Sequence, residues 1–140
     1  MWAMRFDPHA LPSPAQRFLD ERHLATLTTL RPDGRPHVVP VGFTWDADWA
    51  IARVITSDPS RKVSNVEAAG RGGARVVVCQ VDGRRWLALE ARATVRRGAR
   101  DVAEAEHRYQ LRYRQPRPNP RRVVLHLVVD RVLGSVPDER

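Results

Sequence analysis

The sequence predicts a single, mainly β domain built as a six-stranded antiparallel barrel with three flanking helices. Six segments are rich in β-branched and alternating apolar residues, and only three segments have helical composition. Turn sequences such as Pro32-Asp33-Gly34 and Asp82-Gly83 separate neighbouring strands. Strands joined by tight turns are typical of antiparallel barrels and sandwiches. A chain of 140 residues also has the usual size of one domain.

The elements follow from turn and capping residues along the chain. Predicted strands cover residues 24–30, 37–45, 49–56, 75–81, 85–95 and 122–132, and predicted helices cover 13–22, 58–69 and 101–113. Ser13 is expected to cap the first helix, and Asp58 followed by Pro59 to start the second. Pro40 cannot donate a ladder hydrogen bond, so its strand is expected at an edge or at a bulge. Residues 1–12 are expected to be an irregular arm of the domain, which spans 1–140.

Composition limits the classes of function. The net charge is +8, but the basic residues are spread along the chain, and no aromatic-rich strand face suggests base stacking. We therefore expect no nucleic-acid partner. No apolar run is long enough for a membrane span, and the N-terminus lacks a signal-peptide core, so we expect no membrane partner and a cytoplasmic location. Cys79 is the single cysteine, which excludes an internal disulfide.

The stretch from Arg53 to Asn65 is the strongest candidate for a binding site. It reads as a strand that runs into a helix, with hydroxyls at Thr56, Ser57 and Ser60 and with cations beside them. Free N–H groups at a helix start, together with hydroxyls and cations, favour a phosphate ligand. A solvent-exposed helix start would have the same composition, so the pattern alone leaves both interpretations open.

Lys62 is distinctive within that stretch. The chain has 24 basic residues, and Lys62 is the one lysine among them. Lysine is a compact point charge, whereas arginine presents a planar fork of donors. A chain that otherwise uses arginine for every cation therefore marks this position, although an exposed helix lysine would read the same way.

Other reactive residues give weaker indications. The five histidines lack the spacing of a metal site, and no nucleophile lies in an activating motif, so we expect neither a metal nor a catalytic side chain. His37 opens the second strand and is either a site residue or an exposed turn histidine. Trp86 could stack on a planar ligand or cover the barrel. Arginines 84, 85, 117, 121 and 122 could line a groove for an anion or form a solvated face.

Several segments of the sequence resemble the pyridoxamine-phosphate-oxidase-like split β-barrel family. They are residues 24–30, Asp33-Gly34-Arg35-Pro36-His37-Val38, and the strand-to-helix stretch through Arg61-Lys62 and Asn65. Within the family, the chain is most similar to the branch that uses the deazaflavin coenzyme F420. That similarity is carried by residues 18–24, 52–56, 80–83 and 112–124, and its spaced prolines at 116, 118 and 120 are the most specific part.

The resemblance implies a homodimer with cofactor sites at the interface. It implies that the Arg-and-Lys stretch holds the phosphate of the cofactor, and that the 117–122 segment, Gln80 and Trp86 reach the site from the other subunit. The implied cofactor-binding residues are His37, Val38, Val39, Pro40, Arg53, Val54, Ile55, Thr56, Ser57, Arg61, Lys62, Gln80, Trp86, Arg117 and Arg121.

The implied reaction is hydride transfer from reduced F420 to a planar, conjugated, anionic acceptor, with biliverdin reduced to bilirubin as the expected case. The cofactor carries the hard step, which agrees with the missing catalytic side chains. Two alternatives stay open. One is an FMN-dependent oxidase or reductase on the same barrel, and the other is a protein that binds a deazaflavin or tetrapyrrole without turnover.

Overall fold

The computed structural model describes residues 3–137 as one antiparallel sheet of eight strands with three helices packed on it. The strands are β1 (Met4–Phe6), β2 (Ala25–Leu30), β3 (Pro36–Val41), β4 (Thr44–Asp46), β5 (Ile51–Ser57), β6 (Ala74–Asp82), β7 (Arg85–Arg96) and β8 (Arg122–Ser135). The helices are α1 (Ser13–Asp20), α2 (Arg61–Ala68) and α3 (Ala99–Arg112). The predicted fold class is confirmed, although the sheet has two strands more than expected.

The strand order is β3-β2-β6-β7-β8-β5-β4, and β1 pairs with β8 off this path. β8 is the centre of the sheet because it pairs with β7, β5 and β1. β3 ends the path, which confirms that Pro40 lies in an edge strand. β7 and β8 pair over almost their whole length, with one register shift between Glu90 and Ala91.

Both additional strands arise from features that the sequence pattern did not reveal. Part of the predicted irregular arm is β1, in which Arg5 pairs with Leu133. Residues 1–2 of the predicted arm lie outside the described residues. The predicted strand 37–45 is divided at Gly42 and Phe43 into β3 and β4, and β4 pairs with β5 instead of β2. The partner of β1 is distant in sequence and leaves no local signal. β4 pairs with the strand that follows it but has only 3 residues, too few for a recognisable pattern of its own.

Two helix starts also differ from the prediction. Ser13 is the first residue of α1, whose cap position is Pro12, and no side chain caps this helix. α2 is capped by Ser60, whose Oγ accepts a hydrogen bond from the Val63 amide at 3.4 Å. Asp58 instead places its carboxylate against Arg97 at 3.1 Å, so it is not available as the cap.

The core lies between the inner face of the sheet and the helices. Alternate residues of each strand are buried, for example Leu27 in β2, Val78 in β6 and Leu125 in β8, all at 0% exposure. Phe18 of α1 and Val63 of α2 close the core from the helix side. This packing fixes the ends of β3 and β5 beside the start of α2.

Candidate functional site

A cavity of about 690 Å³ opens where the ends of β3 and β5 meet the start of α2 and the segment after α3. We call residues 114–121, the segment that joins α3 to β8, the strap. The cavity is lined by Pro40, Val41, Gly42, Ile55, Thr56, Ser57, Ser60, Lys62, Tyr109, Arg114, Gln115, Pro116, Arg117, Asn119 and Arg122. Its size suits a cofactor or drug-sized ligand.

One end of the cavity has the chemistry of a phosphate site. Lys62 is half-buried in the first turn of α2, and burial lowers the pKa of its ammonium group. No carboxylate of residues 3–137 lies within ion-pair distance of it. Thr56, Ser57 and Ser60, which each carry a hydroxyl, line the same cavity. A partly desolvated cation without a counter-charge, beside three hydroxyls, fits an anionic group such as phosphate.

The strap forms part of the cavity wall and is tied to the domain at three points. Asn119 donates from Nδ2 to Ser57 Oγ at 2.6 Å. The Asp58 amide donates to the Arg121 carbonyl at 2.9 Å. Arg122 donates from Nη1 to Glu106 at 2.5 Å and from Nη2 to the Arg117 carbonyl at 2.7 Å. The prolines at 116, 118 and 120 restrict the backbone between these ties.

The last turn of α3 positions the start of the strap. Tyr113 donates from its hydroxyl to the His23 carbonyl at 2.6 Å and accepts from the Phe43 amide at 3.1 Å. A Cβ at Gly42 would lie 3.2 Å from the rings of Tyr109 and Tyr113. The absence of a side chain at Gly42 therefore lets the two tyrosines pack directly on the β3–β4 connection.

His37 lies next to the cationic end of the cavity. Its Nδ1 atom is buried and has no hydrogen-bond partner. Burial lowers the pKa of His37, and the positive charges of Arg31, Lys62 and Arg61 lower it further. The imidazole is therefore neutral near pH 7, so it adds no positive charge to this end of the site.

The structure brings together six of the fifteen predicted site residues. Pro40, Ile55, Thr56, Ser57, Lys62 and Arg117 line the cavity. His37 and Arg61 lie beside its cationic end, where their charges interact. Arg121 takes part through its backbone carbonyl. These nine residues form a continuous region around the starts of α2 and the strap.

The other predicted residues lie elsewhere in the chain. Val54 is 1% exposed in the core, and Val39 packs against the core. Arg53 is ion-paired with buried Asp46 at 3.0 Å. Gln80 is fully buried and donates to the Phe18 carbonyl at 2.8 Å. Val38, which is 56% exposed, and Trp86 lie on the outer face of the sheet, away from the cavity wall.

The strap lies beside the cavity of its own chain. Arg117, Asn119 and Arg122 line the cavity together with Lys62 of the same chain. The reason is that the strap runs from the end of α3 back to β8, which pairs with β5 beside the cavity. The expectation that the segment 117–122 reaches the site of the other subunit stays a prediction.

Several lining residues were not anticipated, notably Gly42, Tyr109, Arg114 and Gln115. Helical periodicity placed Tyr109 on a core-facing side of α3, and no local pattern indicated a ligand there. Arg114 and Gln115 precede the proline-rich run, which predicted a stiff connection only. Ser60 is one of the three hydroxyl-bearing residues that we expected near the phosphate. The resemblance did not include it among the cofactor-binding residues.

A second polar cluster lies far from the cavity in sequence. Glu21, His23 and Asp82 place potential metal ligands within 4.8 Å of one another. Arg85 donates to Glu21 at 2.8 Å and to Asp82 at 2.7 Å. This ion pairing lowers the pKa of Glu21 to about 2. The carboxylates therefore already have a cationic partner.

Within residues 3–137, no helix is long and apolar enough to cross a membrane.

The fold and the cavity together define the class of protein. The chain matches the family described as pyridoxamine 5'-phosphate oxidase over residues 11–135. The protein belongs to this family, which confirms the family resemblance that segments of its sequence indicated.

Comparison with individual proteins narrows the class. The chain is 55% identical over 125 residues to an F420H(2)-dependent biliverdin reductase of Mycobacterium tuberculosis, covering 89% of this chain and 88% of that protein. A solved F420 reductase superposes with a TM-score of 0.69 at 21% identity, covering 87% and 98% of the two chains. A conserved hypothetical protein of Mycobacterium tuberculosis superposes with a TM-score of 0.72 at 19% identity, covering 88% and 83%. The last two likenesses concern the fold alone.

Proposed function

We propose that the protein is an F420H2-dependent reductase that transfers a hydride to a conjugated acceptor, with biliverdin reduced to bilirubin as the reaction. The observation that carries the proposal is the half-buried, unpaired Lys62 at the hydroxyl-lined end of a 690 Å³ cavity. The relative with 55% identity, an F420H(2)-dependent biliverdin reductase, supports the choice of cofactor and acceptor.

The residues of the cavity fit a deazaflavin that carries a phosphate. Lys62, with the hydroxyls of Ser57 and Ser60, would hold the phosphate through charge-assisted hydrogen bonds. The wall formed by Pro40, Val41 and Gly42 would support the planar ring. The bound reduced coenzyme would supply the hydride. Neutral His37 leaves the positive charge at this end to Lys62 and Arg61.

The strap would bind the acceptor. Arg114 and Arg117 line the cavity and are exposed. Biliverdin is planar and carries two propionates, which guanidinium groups bind well. A strap tied at both ends would hold the acceptor in a fixed position over the ring, and such positioning is a major source of rate enhancement.

The decisive experiment is a fluorescence titration of the purified protein with F420 and, separately, with FMN. We expect F420 to bind, and Lys62→Ala to weaken its binding about tenfold or more, because one charge-assisted contact is lost. Arg71→Ala removes an exposed cation in the turn after α2 and serves as the matched control. Absence of F420 binding would overturn the proposal.

FMN is the second candidate because it also carries a phosphate, which the Lys62 end of the cavity would accept. The titration separates the two cofactors. Binding of FMN alone would keep the phosphate site and replace the cofactor. Tight F420 binding without biliverdin reduction would instead indicate a protein that stores the coenzyme.

We further propose a homodimer in the cytoplasm. Four large exposed apolar side chains, Leu30, Val38, Val81 and Val128, lie on the outer face of the sheet. Trp86 pairs with Val81 on this face. Such a face is typical of an interface, and through it Trp86 could approach the site of the partner. Sedimentation should give twice the mass of the chain, and Val38→Asp should give the monomer.

A further inference from the structure

A second, smaller cavity of about 190 Å³ lies between the end of α1, β4 and the last turns of α3. Its walls include Leu19, Asp20, Thr44, Arg108, Leu111 and Arg112, and none of these residues lines the 690 Å³ cavity. A single water needs only ~10–15 Å³ of such volume. The cavity therefore has room for a molecule of several non-hydrogen atoms.

Arg112 presents a positive charge to this cavity without a direct anionic partner. Its guanidinium donates to the carbonyls of Glu21 and Phe43 and to Gln80 Oε1, and all three acceptors are neutral. No carboxylate of residues 3–137 lies within ion-pair distance of it. A guanidinium has five N–H donors, so two of them have no acceptor. A partly buried cation with no carboxylate in direct contact favours the binding of an anion.

Thr44 supplies an independent indication. The residue is 5% exposed, and its Oγ1 atom is buried with no hydrogen-bond partner among residues 3–137. Thr44 and Asp46 lie on the same face of β4 because side chains alternate along a strand. Asp46 on that face contacts Arg108 of α3 at 3.2 Å. The Thr44 hydroxyl therefore faces α3, the side on which the cavity lies, and a buried hydroxyl without a partner is costly.

We propose that this cavity is a binding site for a short aliphatic carboxylate. The Nη1 and Nη2 atoms of Arg112 each keep one further N–H for a carboxylate, and the Thr44 hydroxyl would donate a third hydrogen bond. The side chains of Leu19 and Leu111 provide the apolar wall for the hydrocarbon part. Arg108 is already paired with Asp46 and Glu104. Asp20 faces the same cavity, and its negative charge opposes the ligand and limits the affinity.

The test uses the full chain without added cofactor, so its outcome is independent of the proposed reaction. Butyrate and its neutral isostere butyramide are titrated while backbone amide signals are followed by NMR. We expect saturable shifts at Thr44 and Leu111 with butyrate and none with butyramide. Inorganic phosphate, which lacks hydrocarbon, should bind more weakly. Equal binding of butyrate and butyramide, or tighter binding of phosphate, would overturn the assignment of a carboxylate.

Two variants test the residues without removing Arg112, which also anchors α3. Thr44→Val should weaken butyrate binding about tenfold, because a hydrogen bond to a charged group is lost. Asp20→Asn should tighten it about threefold, because a repulsion is removed. Thr94→Val, whose hydroxyl contacts only Arg96 among the residues described, is the matched control and should bind like the parent. Unchanged affinity in both Thr44→Val and Asp20→Asn would exclude this site.

Discussion

Asn119 donates a hydrogen bond from its side-chain amide to the hydroxyl of Ser57 at 2.6 Å, across 62 positions of the chain. The bond joins the proline-rich strap to the end of β5 beside the phosphate end of the large cavity. It is the one side-chain hydrogen bond between the strap and β5 in the part of the chain that the structure describes.

Asn119→Ala should release this side of the strap. We expect ligand affinity to fall about threefold to tenfold, since one exposed hydrogen bond is lost, and the free energy of unfolding to change little. Cofactor titration and urea unfolding measure the two effects. In a double-mutant cycle, adding Asn119→Ala to Ser57→Ala should cost less than Asn119→Ala alone. Additive effects would contradict a direct bond between these residues.

Gly42→Ala should disturb the wall of the cavity. The new methyl group would lie 3.2 Å from the rings of Tyr109 and Tyr113, so the rings must move. We expect a loss of about 1–2 kcal/mol in the free energy of unfolding, together with weaker cofactor binding. Gly72→Ala is the matched control because a Cβ there meets nothing within 4 Å. Equal effects of the two substitutions would show that the tyrosines can adjust freely.

Asp46→Asn should destabilise the domain. The Asp46 carboxylate is 4% exposed and binds both Arg53 at 3.0 Å and Arg108 at 3.2 Å, which links β4, β5 and α3. Removing its charge leaves two cations close together, at a cost of about 3 kcal/mol. Chemical denaturation measures this cost. Asp33→Asn, in an exposed pair with Arg35, should change stability by less than about 1 kcal/mol.

Stability should fall as the pH drops from about 7.5 to 5.5. The pKa of His126 is lowered by burial and by the positive charges of Arg96 and Arg53, and the pKa of His37 is lowered by burial and three nearby cations. The unfolded chain therefore takes up protons below the ordinary pKa of 6.5 while the folded chain does not. Unfolding free energies measured across this range should show the fall.

The variant His126→Gln tests the origin of that pH dependence. Glutamine does not titrate, so the loss of stability between pH 7.5 and 5.5 should become smaller. His9→Gln, at an exposed histidine in the segment before α1, should leave the pH dependence unchanged. If the unfolding free energy changed equally with pH in both variants and in the parent, His126 would be excluded as a contributor to the pH dependence.

Local chemistry predicted that Lys62 and its neighbouring hydroxyls lie together, while the phosphate they would bind stays a prediction. Lys62 and its neighbouring hydroxyls were identified from a strand followed by a helix start, and they do line the cavity. The predicted cap was wrong, since Ser60 caps α2 and Asp58 pairs with Arg97. The helix cap lies two residues later than predicted, and Lys62 is in the first turn of α2 with either cap. The error therefore did not change the predicted place of Lys62.

Contiguous runs of residues were a poorer guide. The resemblance assigned all of His37–Pro40 and all of Arg53–Ser57 to the site. Side chains alternate along a strand, so Val39 and Val54 point to the core while their neighbours do not. Tyr109 and Arg114 could not be found from the sequence, because only the packing of α3 on the β3–β4 connection brings them to the cavity.

The chain has a single lysine, and that lysine lies at the mouth of the proposed cofactor phosphate site. An endoprotease specific for lysine therefore has one bond to cut, between Lys62 and Val63 in the first turn of α2. The two products, residues 1–62 and 63–140, differ clearly in mass. The rate of this single cleavage, followed with and without a bound ligand, would report occupancy of the site directly, with no label and no engineered residue.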